Sequence, residues 1–215
     1  SANSDKGCPG EAIHTLKTKP YPTFVAPNIA SCEGEISTVK ATAQDAATAA
    51  DYYTWTWTEN GVTKVVTGSN YSEKLTATRD YKVTATKNGC TTPETTVVAT
   101  VQKNPEVKIE ATKDIPTDIT TDPKFELCNK ETASIALSGD ANSYTWSSHP
   151  TLKATGGSAE IKPTTNGTLK YSVTAAKDYG NNLTCSTPVE IEVKVNPLPN
   201  VNISGDNNVC YGEKA

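Results

Sequence analysis

The chain has 215 residues with 20 basic and 24 acidic side chains, a formal net charge of −4 and the two signs interspersed. It offers no basic face to a phosphate backbone, so nucleic acid is not an expected partner. Thirteen glycines, 13 prolines and no methionine describe short strands and turns rather than helices. There is no apolar run of the roughly eighteen residues that a spanning helix needs, and no basic-then-apolar leader.

In chain order, the first element follows Gly7-Cys8-Pro9, where Ile13, Thr15 and Lys17 alternate up to Lys19-Pro20. A fuller pattern opens at Cys32. Apolar residues then recur at every second position: Val39, Ala41 and Ala43; Tyr53, Trp55 and Trp57; Tyr81, Val83 and Ala85; Val97, Ala99 and Val101. A period of two gives each strand one buried and one wet face. Turn signals fall at Glu59-Asn60-Gly61 and Thr67-Gly68-Ser69-Asn70. The Ala-rich stretch from Ala41 to Ala50 is read as a loop, because helix formation over so few residues is marginal. Asn104-Pro105 closes the pattern.

The same order then begins again. Val107, Ile109 and Ala111, then Ala133, Ile135 and Leu137, then Leu169 to Ala175, then Val189 to Val195 alternate in the same way, closed by Asn196-Pro197. Cys128, Tyr144-Thr145-Trp146, Tyr171-Ser172-Val173 and Cys185 take the places of Cys32, Tyr53-Thr54-Trp55, Tyr81-Lys82-Val83 and Cys90. Recurrence at about ninety residues is the mark of small units in tandem. Val201 to Cys210-Tyr211-Gly212-Glu213 starts the pattern a third time. The expected organisation is the last strand of a preceding repeat over 1–21, complete repeats over 22–104 and 105–197, and the start of a following repeat over 198–215. Several short strands, a Trp on a central strand and a Tyr opening a later one predict an all-β chain of tandem immunoglobulin-like β-sandwich repeats.

None of the six cysteines forms the Cys-x-x-Cys pair of zinc or thiol-redox sites. Lone cysteines flanking small β units fit disulfides and an oxidising compartment. Two pairings stay open. The favoured one lies within a unit, Cys32–Cys90 and Cys128–Cys185, and on the chain-entropy account removes about 4 kcal/mol of unfolded-state freedom. The rival follows from strand directions: head-to-tail units bring Cys32 near Cys185. Cys8 and Cys210 are left unpaired within this segment.

The Asn-Pro junction, the Tyr-x-Trp and Tyr-x-Val-x-Ala strands, Gly89-Cys90, and above all Val193-Lys194-Val195-Asn196-Pro197-Leu198-Pro199 with Cys210 resemble the Ig-like or PKD-like repeats of large Bacteroidetes surface proteins exported by type IX secretion. Thr184-Cys185 departs from the Gly-Cys of that pattern. The resemblance implies an extended stalk or spacer of a cell-surface adhesin, outside the cell, whose partners are neighbouring repeats of the same chain.

Three groups of residues are weighed for chemistry. Tyr52, Trp55 and Trp57 are a candidate contact for a surface glycan or matrix protein, since flat rings stack on sugars; the competing reading puts the tryptophans in the core. Asp114, Asp118 and Asp122, spaced by four in an inserted segment, are a candidate calcium site, although they lack the ligand alternation of a known loop. His14 and His149 share no motif, and neither a nucleophile elbow nor a phosphate-cradling loop occurs. The chain is expected to be neither an enzyme nor the holder of a cofactor. The expected role is structural, with a glycan- or protein-binding adhesion module as the alternative.

Overall fold

In the computed structural model the described residues are 2–3, 9–10, 14–111, 124–202 and 204, with backbone only at 2–3, 9–10, 111 and 124. The chain divides into two compact units, Ser1–Lys103 and Asn104–Ala215. Among the described residues every regular element is a β-strand.

Unit 1 opens with a short antiparallel ribbon, β1 (Ala2–Asn3) and β2 (Pro9–Gly10). It continues through β3 (Phe24–Val25), β4 (Ile29–Cys32), β5 (Ile36–Lys40), β6 (Thr42–Ala43), β7 (Tyr52–Glu59) and β8 (Val62–Thr67). The remaining strands are β9 (Asn70–Lys74), β10 (Arg79–Lys87), β11 (Cys90–Thr91) and β12 (Thr95–Gln102). The main sheet runs β4-β12-β10-β7-β8, with β11 attached to β10, and faces the β5-β9 pair. β4 lies parallel to β12, and the other pairs are antiparallel.

Unit 2 comprises β13 (Val107–Ala111), β14 (Lys124–Cys128), β15 (Ala133–Gly139), β16 (Ser143–Trp146) and β17 (Leu152–Thr155), then β18 (Ser158–Ile161), β19 (Gly167–Asp178) and β20 (Thr184–Asn196). Its two sheets run β13-β15-β18-β17 and β14-β20-β19-β16. Again β14 lies parallel to β20. Two antiparallel sheets with a parallel strand beside the last strand define an immunoglobulin-like sandwich in each unit.

The alternating residues fill the two cores. Val39, Trp55, Leu75, Tyr81, Val83 and Val97 pack together in unit 1, and Phe125, Ile135, Ile161, Tyr171, Val173 and Ile191 in unit 2. Burial of each large apolar side chain contributes about 1.5–3 kcal/mol. β4 and β14 are absent from the strands that alternation predicts. Each is short, and each is held by a parallel pairing that becomes visible only in the assembled sheet.

The units differ in how their central strand is covered. In unit 1, Asn60 (φ 51°) and Gly61 (φ 77°) form the left-handed pair of a two-residue hairpin, which folds β8 straight back onto β7. In unit 2 the chain after Trp146 runs through Ser147-Ser148-His149-Pro150, where proline interrupts a tight hairpin. β17 therefore pairs with β18 in the opposite sheet, and β16 stays at a sheet edge.

Candidate functional site

The aromatic strand β7 points Tyr53, Trp55 and Trp57 inward. Trp55 is 0% and Trp57 6% exposed, so neither presents a ring face to a ligand, and the glycan-contact expectation for these two is corrected. The physical reason is β8: Val66 lies opposite Trp55, and the indole Nε1 of Trp55 donates to the Gly68 carbonyl at 3.0 Å. Trp57 lies against Tyr71 and Tyr81, with ring centroids 4.7 and 5.4 Å away. Of the three candidates only Tyr52, 48% exposed, remains at the surface.

Tyr81 and Tyr171, at matching places in the two units, are both buried. The Tyr81 hydroxyl donates to Glu73, and Arg79 bridges Glu73 at 2.6 Å and Glu59 at 2.7 Å. Burial first, and then the hydrogen bond to the Glu73 carboxylate, push the Tyr81 phenol well above its ordinary range. In unit 2 the Tyr171 hydroxyl meets Thr151 Oγ1 at 2.8 Å, which also meets His149 Nδ1 at 2.8 Å. Burial raises the Tyr171 phenol too. His149 is thereby tied into a structural anchor.

The open edge of unit 2 creates a cleft. About 350 Å³ in volume, it is lined by Tyr144, Trp146, His149, Leu152, Ala154 and Gly156. Trp146 repeats the Trp55 bond, its Nε1 donating to the Gly156 carbonyl at 3.0 Å, yet among the described residues no strand corresponding to β8 covers it. Ser147 N donates to Ser172 O of β19 at 2.9 Å; by antiparallel alternation the backbone groups of Tyr144 and Trp146 therefore face outward. Sequence reasoning missed this cleft, because Tyr144-Thr145-Trp146 reads like its buried counterpart Tyr53-Thr54-Trp55. Pro150 was the signal available.

The cysteines correct a second expectation. Cys90 and Cys128 are free thiols, whereas Cys32 and Cys185 are each disulfide-bonded. The within-unit pairs Cys32–Cys90 and Cys128–Cys185 are therefore not formed. Cys128 is level with Asn196, and Cys185 lies near the other end of the same 13-residue β20, roughly 35 Å away at about 3.3 Å per residue. Cys32 is likewise level with Gln102 at the end of β12, whereas Cys90 follows β10 at the opposite end. A disulfide requires Cα atoms within about 7 Å. Cys8 and Cys210 lie outside the described residues.

Asp114, Asp118 and Asp122 also lie outside the described residues. Among the described residues no three His, Cys, Asp or Glu side chains gather as a metal site, and no helix is long and apolar enough to cross a membrane. His14 is exposed in unit 1 and His149 is half-buried in unit 2.

The fold defines a chain of tandem immunoglobulin-like sandwich units. No family model matches the sequence, and no curated protein matches it. Among solved structures, the chain is similar to the insect immune protein hemolin at 16% identity, covering 87% of this chain and 49% of that one, with a TM-score of 0.39. The chain thus spans about half the length of hemolin. It is also similar to a 282-residue fragment of intimin in complex with the intimin-binding domain of its translocated receptor, at 13% identity, 83% and 65% coverage and a TM-score of 0.42. A third likeness is to fibronectin(III)-like modules of Clostridium thermocellum CbhA, at 15% identity, 85% and 100% coverage and a TM-score of 0.30.

Proposed function

We propose that the chain is a stalk segment of a bacterial cell-surface adhesin, held outside the cell, in which immunoglobulin-like repeats space a distal domain away from the surface. The observation that carries this reading is the repeated construction of the unit ends. In unit 1 the last strand of the sandwich ends level with Cys32, where Glu33 N donates to Gln102 O at 2.8 Å. In unit 2 it ends level with Cys128, where Asn129 N donates to Asn196 O at 2.9 Å. Each end is followed closely by an Asn-Pro step, which limits backbone freedom at the exit. The tryptophans of unit 1 are used up in packing, as a spacer requires. Neighbouring repeats are the partners of such a segment.

A second reading, a glycan- or protein-binding adhesion module, is favoured by the uncovered edge and cleft beside Trp146 in unit 2. A glycan-array and matrix-protein binding screen separates the two. The comparison variant is Ala154→Arg, which places a long side chain in the cleft from an exposed position on β17 without touching the core. No binding by the folded chain is expected. Reproducible binding that Ala154→Arg abolishes would replace the stalk reading with the adhesive one and locate the site.

A further inference from the structure

Within unit 2, β16 pairs with β19 on one side only, and among the described residues the outward N–H and C=O groups of Tyr144 and Trp146 meet no strand. In unit 1 the same edge is filled: β8 lies along β7 with Val66 opposite Trp55. The repeat itself therefore shows that a strand fits beside the central Trp. Exposed sheet edges are normally protected by charge, proline or cover. β8, β13, β14 and β17 follow that rule through Lys64, Lys108, Glu126 and Lys153. The uncharged β4 is tied to neighbouring β5 by the Ser31 and Ser37 hydroxyls at 2.5 Å. β16 has no such protection, since Asn142 to Ser148 hold neither a charged residue nor a proline.

The side chains of this strand complement one another about its midpoint. Tyr144 and Trp146 are half-buried along the cleft, while Ser143, Thr145 and Ser147 alternate with them and are exposed. Laid antiparallel on a copy of itself with Thr145 at the centre, β16 sets Tyr144 of each copy opposite Trp146 of the other, as hydrogen-bonded pairs that exchange both N–H···O bonds. The outward backbone groups are then satisfied, and aromatic cross-strand pairs close over both clefts. Ser143 falls opposite Ser147, and Thr145 opposite the second Thr145, a favourable cross-strand pair. No charge meets a like charge across the strand.

We propose that β16 is a self-association edge, through which unit 2 of one chain pairs antiparallel with unit 2 of a second copy about a two-fold axis at Thr145. The β14-β20-β19-β16 sheet then continues without a break into its copy, and the interface is isologous, built from one self-complementary patch. Such pairing goes beyond the spacer reading, because it holds stalks side by side rather than lengthening one. An edge of four residues is roughly 13 Å long at about 3.3 Å per residue. That is well short of the area of an obligate dimer, so the association is weak, reversible and dependent on concentration.

Sedimentation equilibrium of the intact chain over a concentration series up to about 1 mM tests this, with thiols capped by N-ethylmaleimide because Cys128 is free and exposed. A reversible monomer–dimer equilibrium is expected. Thr145 is exposed, so Thr145→Lys and Thr145→Glu leave the core intact. Each sets like charges opposite one another at the axis and should weaken dimerisation at least about tenfold. An equimolar mixture of the two variants should dimerise again, because lysine then meets glutamate; pairing in another register or through another surface gives no such restoration. A wild-type chain that stays monomeric at the highest concentration, a dimer that Thr145→Lys leaves unchanged, or a mixture that stays monomeric overturns the proposal. None of these outcomes touches the stalk reading, which the glycan and matrix screen decides by itself.

Discussion

Tyr81 and Tyr171 occupy one position in two units but are anchored by different chemistry, carboxylate and guanidinium in unit 1, hydroxyl and imidazole in unit 2. A hydrogen bond to a charged acceptor is worth about 1.5–3 kcal/mol, so Tyr81→Phe is expected to lower the stability of unit 1 by about that amount in a denaturant titration. The variant also tests a pH effect. Because the folded state holds the Tyr81 proton above the ordinary pKa of 10.0, its contribution is complete below that value. It is lost as the pH climbs toward the higher folded value. Tyr53, Tyr71 and Tyr171 are raised in the same sense. Unit 1 should therefore lose stability above about pH 10, and Tyr81→Phe should lose it less steeply; an identical alkaline slope in both proteins would rule the anchor out as its source. The place of these tyrosines was legible in the sequence, because each opens an alternating strand. Their partners were not: Glu73 and Thr151 sit in segments with no recurrent pattern, and only the folded sheets bring them to the phenols.

At the scale of elements, strict alternation made the long strands legible, since a one-residue slip reverses every face. The strands it did not mark, β4 and β14, take their positions from a parallel pairing with residues about seventy positions later. Nor did it mark which sheet the strand after the central Trp joins. In both units the strand after the central Trp ends at a glycine whose carbonyl accepts from the indole, and the choice is made by Asn60-Gly61 against Pro150. Pairing of β13 with β15 depends on a different glycine. Gly139 has φ 138°, and a Cβ there would lie 2.0 Å from the Glu106 carbonyl oxygen, a backbone atom that a side-chain rotation cannot relieve. Gly139→Ala should destabilise unit 2 by at least about 2 kcal/mol while unit 1 keeps its own transition. A change of a few tenths would mean that the strand end relaxes freely. In contrast, Gly61 and Gly89 have open space around them, and substitution there carries only the left-handed φ penalty of about 1 kcal/mol.

For the whole molecule, each unit buries a separate core, so unit 1 and unit 2 are expected to fold as independent sandwiches connected at Lys103-Asn104. Neither core draws a buried side chain from the other unit, so separation should leave both intact. Lys103 is exposed, and limited digestion with a lysine-specific protease in dithiothreitol should yield two fragments of similar size, cut between Lys103 and Asn104. Each fragment is expected to retain β-rich circular dichroism and to unfold in one cooperative transition of its own. A fragment that loses its β signal on separation would show that its core is not self-sufficient, because a sandwich that buries enough apolar surface by itself needs no neighbour to hold its sheets together.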